Sequence, residues 1–204
     1  MKQILLTILL SVGLLSCGGG NERNNDIVAP PTEAELNKTE APVTDIDKEN
    51  ALYLDLKYGR VVIRLRPDLA PNHVARIKKL TREGFYNGLK FHRVIAGFMV
   101  QTGDPRGNGS GGSKYPNLKA EFTSTPFRKG TVGAARSSSP DSANSQFYIM
   151  LGRSPHLDNK YTVWGEVVQG MPFVSRIKLG DSAQNGTVTD PDIIVKMQVA
   201  ADAK

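Results

Sequence analysis

The sequence predicts a mainly β fold, a closed antiparallel barrel of eight strands capped by two helices. The chain of 204 residues contains 20 glycines and 12 prolines, so turns are frequent. Short segments with strand-like patterns recur between these turns, and only two segments have helical patterns. The helices do not alternate with the strands, which argues against a parallel α/β sheet and favours the barrel.

The first two strands form a predicted hairpin. Residues 52–57 and 60–66 alternate between apolar and other side chains, and Tyr58 and Gly59 lie between them as a turn. Six later segments complete the expected set of strands: residues 91–94, 98–102, 131–135, 146–151, 162–168 and 193–199.

Two helices are expected. Asn72 is a candidate cap for a helix that continues to about Glu83 and stops at Gly84. Its apolar face would consist of Val74, Ile77 and Leu80. A second, shorter helix would open at Pro172 and end near Gly180.

The N-terminal residues resemble an export signal. After Lys2, residues 4–15 are almost entirely apolar, a stretch shorter than the roughly 20 residues that span a bilayer. Leu14-Leu15-Ser16-Cys17 resembles a bacterial lipobox, in which the cysteine is lipidated and becomes the mature N-terminus. Cys17 is also the only cysteine. An ordinary signal peptide cut nearby, which would leave a free thiol, is the alternative.

These features divide the chain into three parts. Residues 1–16 are the predicted lipoprotein signal peptide, residues 17–50 the lipidated N-terminus and flexible tether, and residues 51–200 the folded domain. Lipid on Cys17 would hold the protein to a membrane on the periplasmic or extracytoplasmic side. Gly18, rather than Asp, follows the cysteine, which favours the outer membrane.

Charge differs between the tether and the domain. Residues 17–50 carry three basic and eight acidic residues, a net charge of −5. Residues 51–204 carry 22 basic and 12 acidic residues, a net charge of +10. A solvated basic surface is the favoured interpretation, with anionic-membrane contact as an alternative. The sequence has no run of five like charges and no interleaving of basic and aromatic residues, so nucleic-acid binding is not predicted.

Other classes of site are disfavoured. The three histidines and one cysteine lack the spacing of a metal site. Gly107, Gly109 and Gly112 satisfy G-x-G-x-x-G, but Pro116 prevents the helix that dinucleotide binding requires, so a tight loop is expected. Serines 137–139 lack the pattern of a nucleophile elbow. We therefore expect neither a metal nor a cofactor.

Three segments, residues 91–104, 135–149 and 157–165, carry the recognisable motifs. They include Phe91-His92-Arg93, then Gly97-Phe98-Met99-Val100-Gln101-Thr102-Gly103-Asp104, and Ser145-Gln146-Phe147. In order and spacing they resemble the cyclophilin family of peptidyl-prolyl cis-trans isomerases, over about residues 51 to 199. The resemblance implies an eight-stranded barrel with a shallow groove on its outer face. We expect a monomer that acts on proline-containing polypeptides.

The resemblance also implies the site residues. Arg93 corresponds to the catalytic arginine. The substrate-binding set is His92, Phe98, Met99, Gln101, Ala135, Arg136, Gln146, Tyr148, His156, Leu157 and Tyr161. His156 replaces the Trp or Phe of many members, so we expect weak cyclosporin binding. Three further aromatic residues are assigned to the barrel core: Phe91, Phe147 and Trp164.

The predicted function is isomerisation of X–Pro bonds in exported or envelope proteins, which would assist their folding. This reaction needs a fixed cation and an apolar pocket, and no nucleophile or metal, because no bond is cleaved. Two alternatives belong to other classes. One is a non-catalytic module that holds proline-containing segments, and the other is an adhesion domain for anionic membranes.

Overall fold

Eight antiparallel strands form one sheet in the computed structural model, which describes residues 46–204. The strands are β1 (Ala51–Leu56), β2 (Gly59–Leu65), β3 (Arg93–Ile95), β4 (Met99–Thr102), β5 (Thr131–Ala134), β6 (Phe147–Met150), β7 (Val163–Gln169) and β8 (Lys196–Val199). Their order in the sheet is β3-β4-β6-β5-β7-β2-β1-β8. The mainly β class, the hairpin and the number of strands are confirmed.

The prediction of a closed barrel is wrong, because β3 and β8 are edge strands that do not pair with each other. The sheet is an open, strongly curled half-barrel. In the described part of the chain, the segments at these two edges form isolated bridges, Lys90 to Ile193 and Arg93 to Thr187, rather than a continuous ladder. Positive φ angles at Gly186 and Asp190 interrupt extended backbone in this segment. The predicted last strand is shortened to β8, because the backbone of Ile194 bonds instead to the Leu89 carbonyl and the Gly88 N–H, at 2.9 and 2.7 Å.

The first helix, α1, spans Pro71–Arg82 and buries the three predicted apolar side chains, Val74, Ile77 and Leu80. Gly84 follows it with a φ of 70°, as expected for a stop. Asn72 does not cap it. Instead the Glu121 carboxylate accepts hydrogen bonds from the backbone N–H groups of Asn72 and His73, each at 3.0 Å. A distant acidic side chain therefore satisfies the first turn.

The second helix, α2, is shorter than predicted and spans only Met171–Val174. Beyond it, the N–H groups of Arg176 and Ile177 bond to carbonyls three residues earlier, at 3.2 Å in each case. The segment therefore continues as tight turns rather than as α-helix.

Alternation along the strands divides the apolar side chains between two faces. On β6, Phe147 and Ile149 lie in the main core, whereas Tyr148 and Met150 join a smaller cluster on the other face. Phe91, Phe147 and Trp164 are fully buried in the main core, as predicted. The smaller cluster contains Met99, Phe127, Tyr148, Met150, Leu157 and Val163. It supports the outer face of the sheet, where the candidate site lies.

No helix within residues 46–204 is long and apolar enough to cross a membrane. The predicted signal peptide, Cys17 and nearly all of the tether lie outside the described residues.

Candidate active site

A small cavity of about 100 Å³ lies on the outer face of the sheet. Its lining residues are Arg93, Phe98, Met99, Gln101, Ala135, Arg136, Tyr148, Leu157 and Tyr161. All nine belong to the predicted site. We call this cavity the proline pocket, after the substrate group that the resemblance implies for it.

Strand register places the central residues of the proline pocket in one row. Arg93 on β3 pairs with Gln101 on β4, Gln101 pairs with Tyr148 on β6, and Tyr148 pairs with Gly133 on β5. Directly paired residues point to the same face of an antiparallel sheet. A continuous row across four strands thus presents a cation, an amide and an aromatic ring to the same groove.

The Arg93 guanidinium is held from two sides. Its Nη1 donates to Oε1 of Gln101 at 3.2 Å. Its Nε donates to the backbone carbonyl of Asn185 at 3.0 Å, and its Nη2 to Oδ1 of Asn185 at 2.9 Å. Partial burial lowers the pKa of Arg93, but an arginine side chain stays charged because its ordinary pKa exceeds 12. The site therefore contains an oriented, permanent cation.

Asn185 is the site residue that the sequence analysis missed. It lies 92 positions after Arg93, in the irregular segment before Gly186, and has a φ of 54°. The Asn-Gly pair marks a turn, which was the available signal, but a turn signal does not identify the partner of its side chain.

Two glutamine amides connect Arg93 to the glycine-rich loop. Gln146 donates through Nε2 to the carbonyls of Gly109 and Gly111, at 3.0 and 2.8 Å. Since carbonyls only accept, its Oε1 must point away from them, and it accepts from Nε2 of Gln101 at 2.9 Å. This leaves Oε1 of Gln101 to accept from Arg93. The loop carbonyls thereby fix the orientation of both amides.

The glycine-rich loop is a tight turn, as predicted. Gly107 and Gly109 have positive φ angles of 67° and 89°. The loop wraps around Asp104, whose carboxylate accepts from the backbone N–H groups of Arg106, Asn108 and Gly109. Burial opposes ionisation of Asp104, but these hydrogen bonds outweigh it and lower the pKa of its carboxyl group.

Aromatic and apolar side chains form the walls of the proline pocket. The rings of Tyr148 and Tyr161 meet edge to face with centroids 6.1 Å apart. Phe98 is partly buried against the smaller cluster, and Met99 and Leu157 are buried in it. The walls thus offer apolar surface next to the Arg93 cation.

Three predicted substrate-binding residues do not line the proline pocket. Gln146 accepts from Gln101 and lines a larger, adjoining cavity, and the His156 ring packs beside Phe98 with centroids 5.7 Å apart. His92 is only 6% exposed and lies under the glycine-rich loop, where burial lowers its pKa. Its position is that of a support for the loop rather than of a surface contact.

Arg136 is fixed at the rim of the proline pocket by neutral partners. Its guanidinium donates to the carbonyls of Ser137, Ser138 and Lys160 and lies 4.3 Å from the ring centroid of Tyr161. No cluster of three or more potential metal ligands occurs among residues 46–204.

Comparisons with known proteins agree with this geometry. Residues 51–199 match the family model described as cyclophilin type peptidyl-prolyl cis-trans isomerase/CLD. A probable peptidyl-prolyl cis-trans isomerase of Brucella suis biovar 1 (strain 1330) is 56% identical over 169 residues, which cover 78% of this chain and 86% of that protein. Peptidyl-prolyl cis-trans isomerase B of Bacillus subtilis (strain 168) is 40% identical over 125 residues, covering 60% and 86%.

Solved structures of cyclophilins are also similar to this chain. A cyclophilin from Hirschia baltica superposes with a TM-score of 0.70 at 26% identity, over 86% of this chain and 83% of that one. A Cryptosporidium parvum cyclophilin type peptidyl-prolyl cis-trans isomerase, crystallised in the presence of the dipeptide Ala-Pro, gives 0.67 at 25% identity, covering 73% and 98%. The chain therefore belongs to the cyclophilin family of peptidyl-prolyl cis-trans isomerases.

Proposed function

We propose that this isomerase acts on X–Pro bonds of exported or envelope proteins and thereby speeds their folding, while lipid on Cys17 holds it at a bacterial membrane. The catalytic part of this proposal rests on one observation, the oriented Arg93 beside an apolar pocket. The proposed location at a membrane rests on the export-signal pattern that ends at Cys17.

The reaction itself defines what Arg93 would do. The X–Pro amide resists rotation, with a barrier of about 18–20 kcal/mol, because the nitrogen lone pair is delocalised into the carbonyl. A donor held near the proline nitrogen would localise that lone pair as the amide twists. Nη1 and Nη2 of Arg93 each retain a second N–H beyond those bonded to Gln101 and Asn185. We assign the substrate hydrogen bonds to these groups.

Arg93 alone cannot supply the rate enhancement. An acceleration near 10⁵ requires about 7 kcal/mol, whereas one charge-assisted hydrogen bond contributes roughly 1.5–3 kcal/mol. The remainder is assigned to positioning of the peptide and to the apolar walls. Phe98, Met99 and Leu157 would contact the proline ring. The twisted amide is less charge-separated than the planar one, so an apolar pocket favours it.

The proposed tether would allow the isomerase domain to act away from the membrane surface. About thirty residues separate Cys17 from β1, and as a flexible coil they would have a reach of roughly 30 Å. Two or more acyl chains would anchor the protein stably, since each buried CH₂ contributes about 0.8 kcal/mol. The groove could then reach segments of envelope proteins before they fold.

A peptide assay tests the catalytic assignment. Arg93→Ala is expected to lower kcat/KM for a proline peptide by roughly 10- to 150-fold. Arg64→Ala is the matched control, because Arg64 is exposed on β2 and does not line the pocket. Wild-type turnover in Arg93→Ala would refute the role of Arg93. Negligible turnover by the wild type, with intact peptide affinity, would favour the non-catalytic module.

A second experiment tests location and clients. In a Gram-negative host, the full chain is expected to incorporate labelled palmitate and to sediment with membranes, whereas Cys17→Ala does neither. In a strain lacking its own periplasmic isomerases, the wild type should shorten the maturation of an exported protein whose folding is limited by proline isomerisation. The proposal fails if Arg93→Ala shortens it equally.

A further inference from the structure

A second, larger cavity adjoins the proline pocket. It measures about 630 Å³ and shares Gln101, Ala135 and Arg136 with the smaller one. The glycine-rich loop and the polar loop after Arg136 form its sides. A peptide with its proline in the small cavity would therefore bring a neighbouring residue into this larger one, which we call the flanking cavity.

Two arginines line the flanking cavity without a carboxylate partner. Arg106 is exposed, and its side chain makes no ion pair within the described part of the chain. Among residues 46–204, Arg136 binds only carbonyls and the Tyr161 ring. Both positive charges are therefore left without local compensation.

Further cations surround one wall of the flanking cavity. The ring of Tyr115, a lining residue, has Arg76, Lys79 and Lys114 at 5.1, 4.2 and 5.4 Å from its centroid. Together with Arg106 and Arg136 these make five positive charges in the cavity or around its wall.

The nearby carboxylates already have donors. Asp104 is 1% exposed and accepts three backbone hydrogen bonds from the glycine-rich loop. Asp141, next to the lining residue Ser142, accepts from the N–H of Ala120 at 2.8 Å. Glu83 accepts from the hydroxyl of Tyr115. The three carboxylates do not balance the five cations, so the flanking cavity has a net positive environment.

We infer that the flanking cavity binds a carboxylate side chain, Asp or Glu, close to the proline of the substrate. The inference rests on the proposed isomerase function and specifies its substrate class. Because Arg106 is exposed, we expect the preference for Glu over Gln to be about two- to fivefold, as for an exposed ion pair.

The test uses matched peptides and matched variants. The substrates are short peptides with one proline. Each position from three residues before the proline to two residues after it is varied in turn and carries Glu, Gln or Lys. At one position, kcat/KM of the full chain is expected to follow the order Glu, Gln, Lys. Arg106→Gln should reduce the difference between Glu and Gln there. Lys196→Gln makes the same charge change on β8, outside both cavities, and should preserve it.

Each outcome bears on the inference. Equal kcat/KM for Glu, Gln and Lys at every position would overturn the carboxylate site while leaving isomerisation intact. An equal loss of preference in Arg106→Gln and Lys196→Gln would also overturn it, because a diffuse field of the basic domain would then explain the preference. Absence of turnover on all peptides would overturn the isomerase function, and the subsite with it.

Discussion

Asn185 clamps Arg93 through both its backbone and its side chain. Nε of Arg93 donates to the Asn185 carbonyl at 3.0 Å and Nη2 to Oδ1 at 2.9 Å, so one residue binds two edges of the guanidinium. This geometry limits rotation of the guanidinium, which would otherwise sample several orientations over the groove. Asn185 does not line the proline pocket and is therefore a positioning residue.

Asn185→Gly isolates the side-chain half of the clamp. Glycine adopts the φ of 54° readily and keeps the carbonyl acceptor, while Oδ1 is lost. We expect kcat to fall roughly fivefold, equivalent to about 1 kcal/mol of lost positioning, with little change in KM. Asn185→Asp keeps an acceptor and should retain most of the activity. Wild-type kcat in Asn185→Gly, measured with an unchanged unfolding midpoint, would contradict the assignment.

Gly133 makes room for the Tyr148 ring. A Cβ at this position would lie 2.6 Å from Cζ of Tyr148 and 2.7 Å from Cε1 of Phe127. Gly133→Ala is therefore expected to lower the free energy of unfolding by about 1–3 kcal/mol and to displace the ring toward the proline pocket, lowering kcat/KM. Urea unfolding and the peptide assay check both effects.

A second substitution serves as the control. Tyr148→Leu in the Gly133→Ala chain removes the clashing Cζ, so it should recover part of the stability but not the activity. An unfolding midpoint of Gly133→Ala equal to that of the wild type would show that the ring adapts without cost.

Much of the site was predictable because its residues lie in dense local motifs on adjacent strands. Arg93, Gln101 and Tyr148 all come from the recognised segments, and strand register then brings them into one row. Alternation could not decide which face Phe98 occupies, and the resemblance supplied that. The structure places Phe98 just before β4, where strand alternation does not apply.

The features that sequence reasoning missed depend on long-range contacts of irregular segments. Asn185 and Glu121 each lie in a loop without periodicity, and each acts on a residue more than 45 positions away. The open edge between β3 and β8 also involves irregular backbone, since the segment before β8 has positive φ at Gly186 and Asp190 and contacts the β3 side through isolated bridges. Local patterns do not specify the partner of a loop side chain.

The residue at position 156 is expected to affect the affinity for cyclosporin. Many cyclophilins have Trp or Phe at this position, whereas here an exposed imidazole lies against Phe98. His156→Trp should extend the apolar rim without disturbing the core, because the side chain is exposed. We expect cyclosporin to bind roughly tenfold more tightly, a gain of about 1.4 kcal/mol. Titration calorimetry of the wild type, His156→Trp and His156→Ala checks this, and equal affinities for all three would contradict it.

The His73–Glu121 pair predicts a pH-dependent stability. Nδ1 of His73 lies 2.6 Å from Oε2 of Glu121, and His73 is 2% exposed. Burial lowers the pKa of His73, Arg76 adds to this, and Glu121 only partly opposes it. In the unfolded chain the imidazole titrates near its ordinary pKa of about 6.5. The unfolded state therefore binds more protons just below that pH, and stability must fall as the pH falls from about 7 to 5.

His73→Asn isolates this contribution, since its amide can still donate to Glu121 but does not titrate. Urea unfolding from pH 7.5 to 5 should show a shallower loss of stability in His73→Asn than in the wild type. Some slope should remain, because burial also lowers the pKa of His92. Identical slopes in His73→Asn and the wild type would mean that His73 does not gain a proton on unfolding in this range.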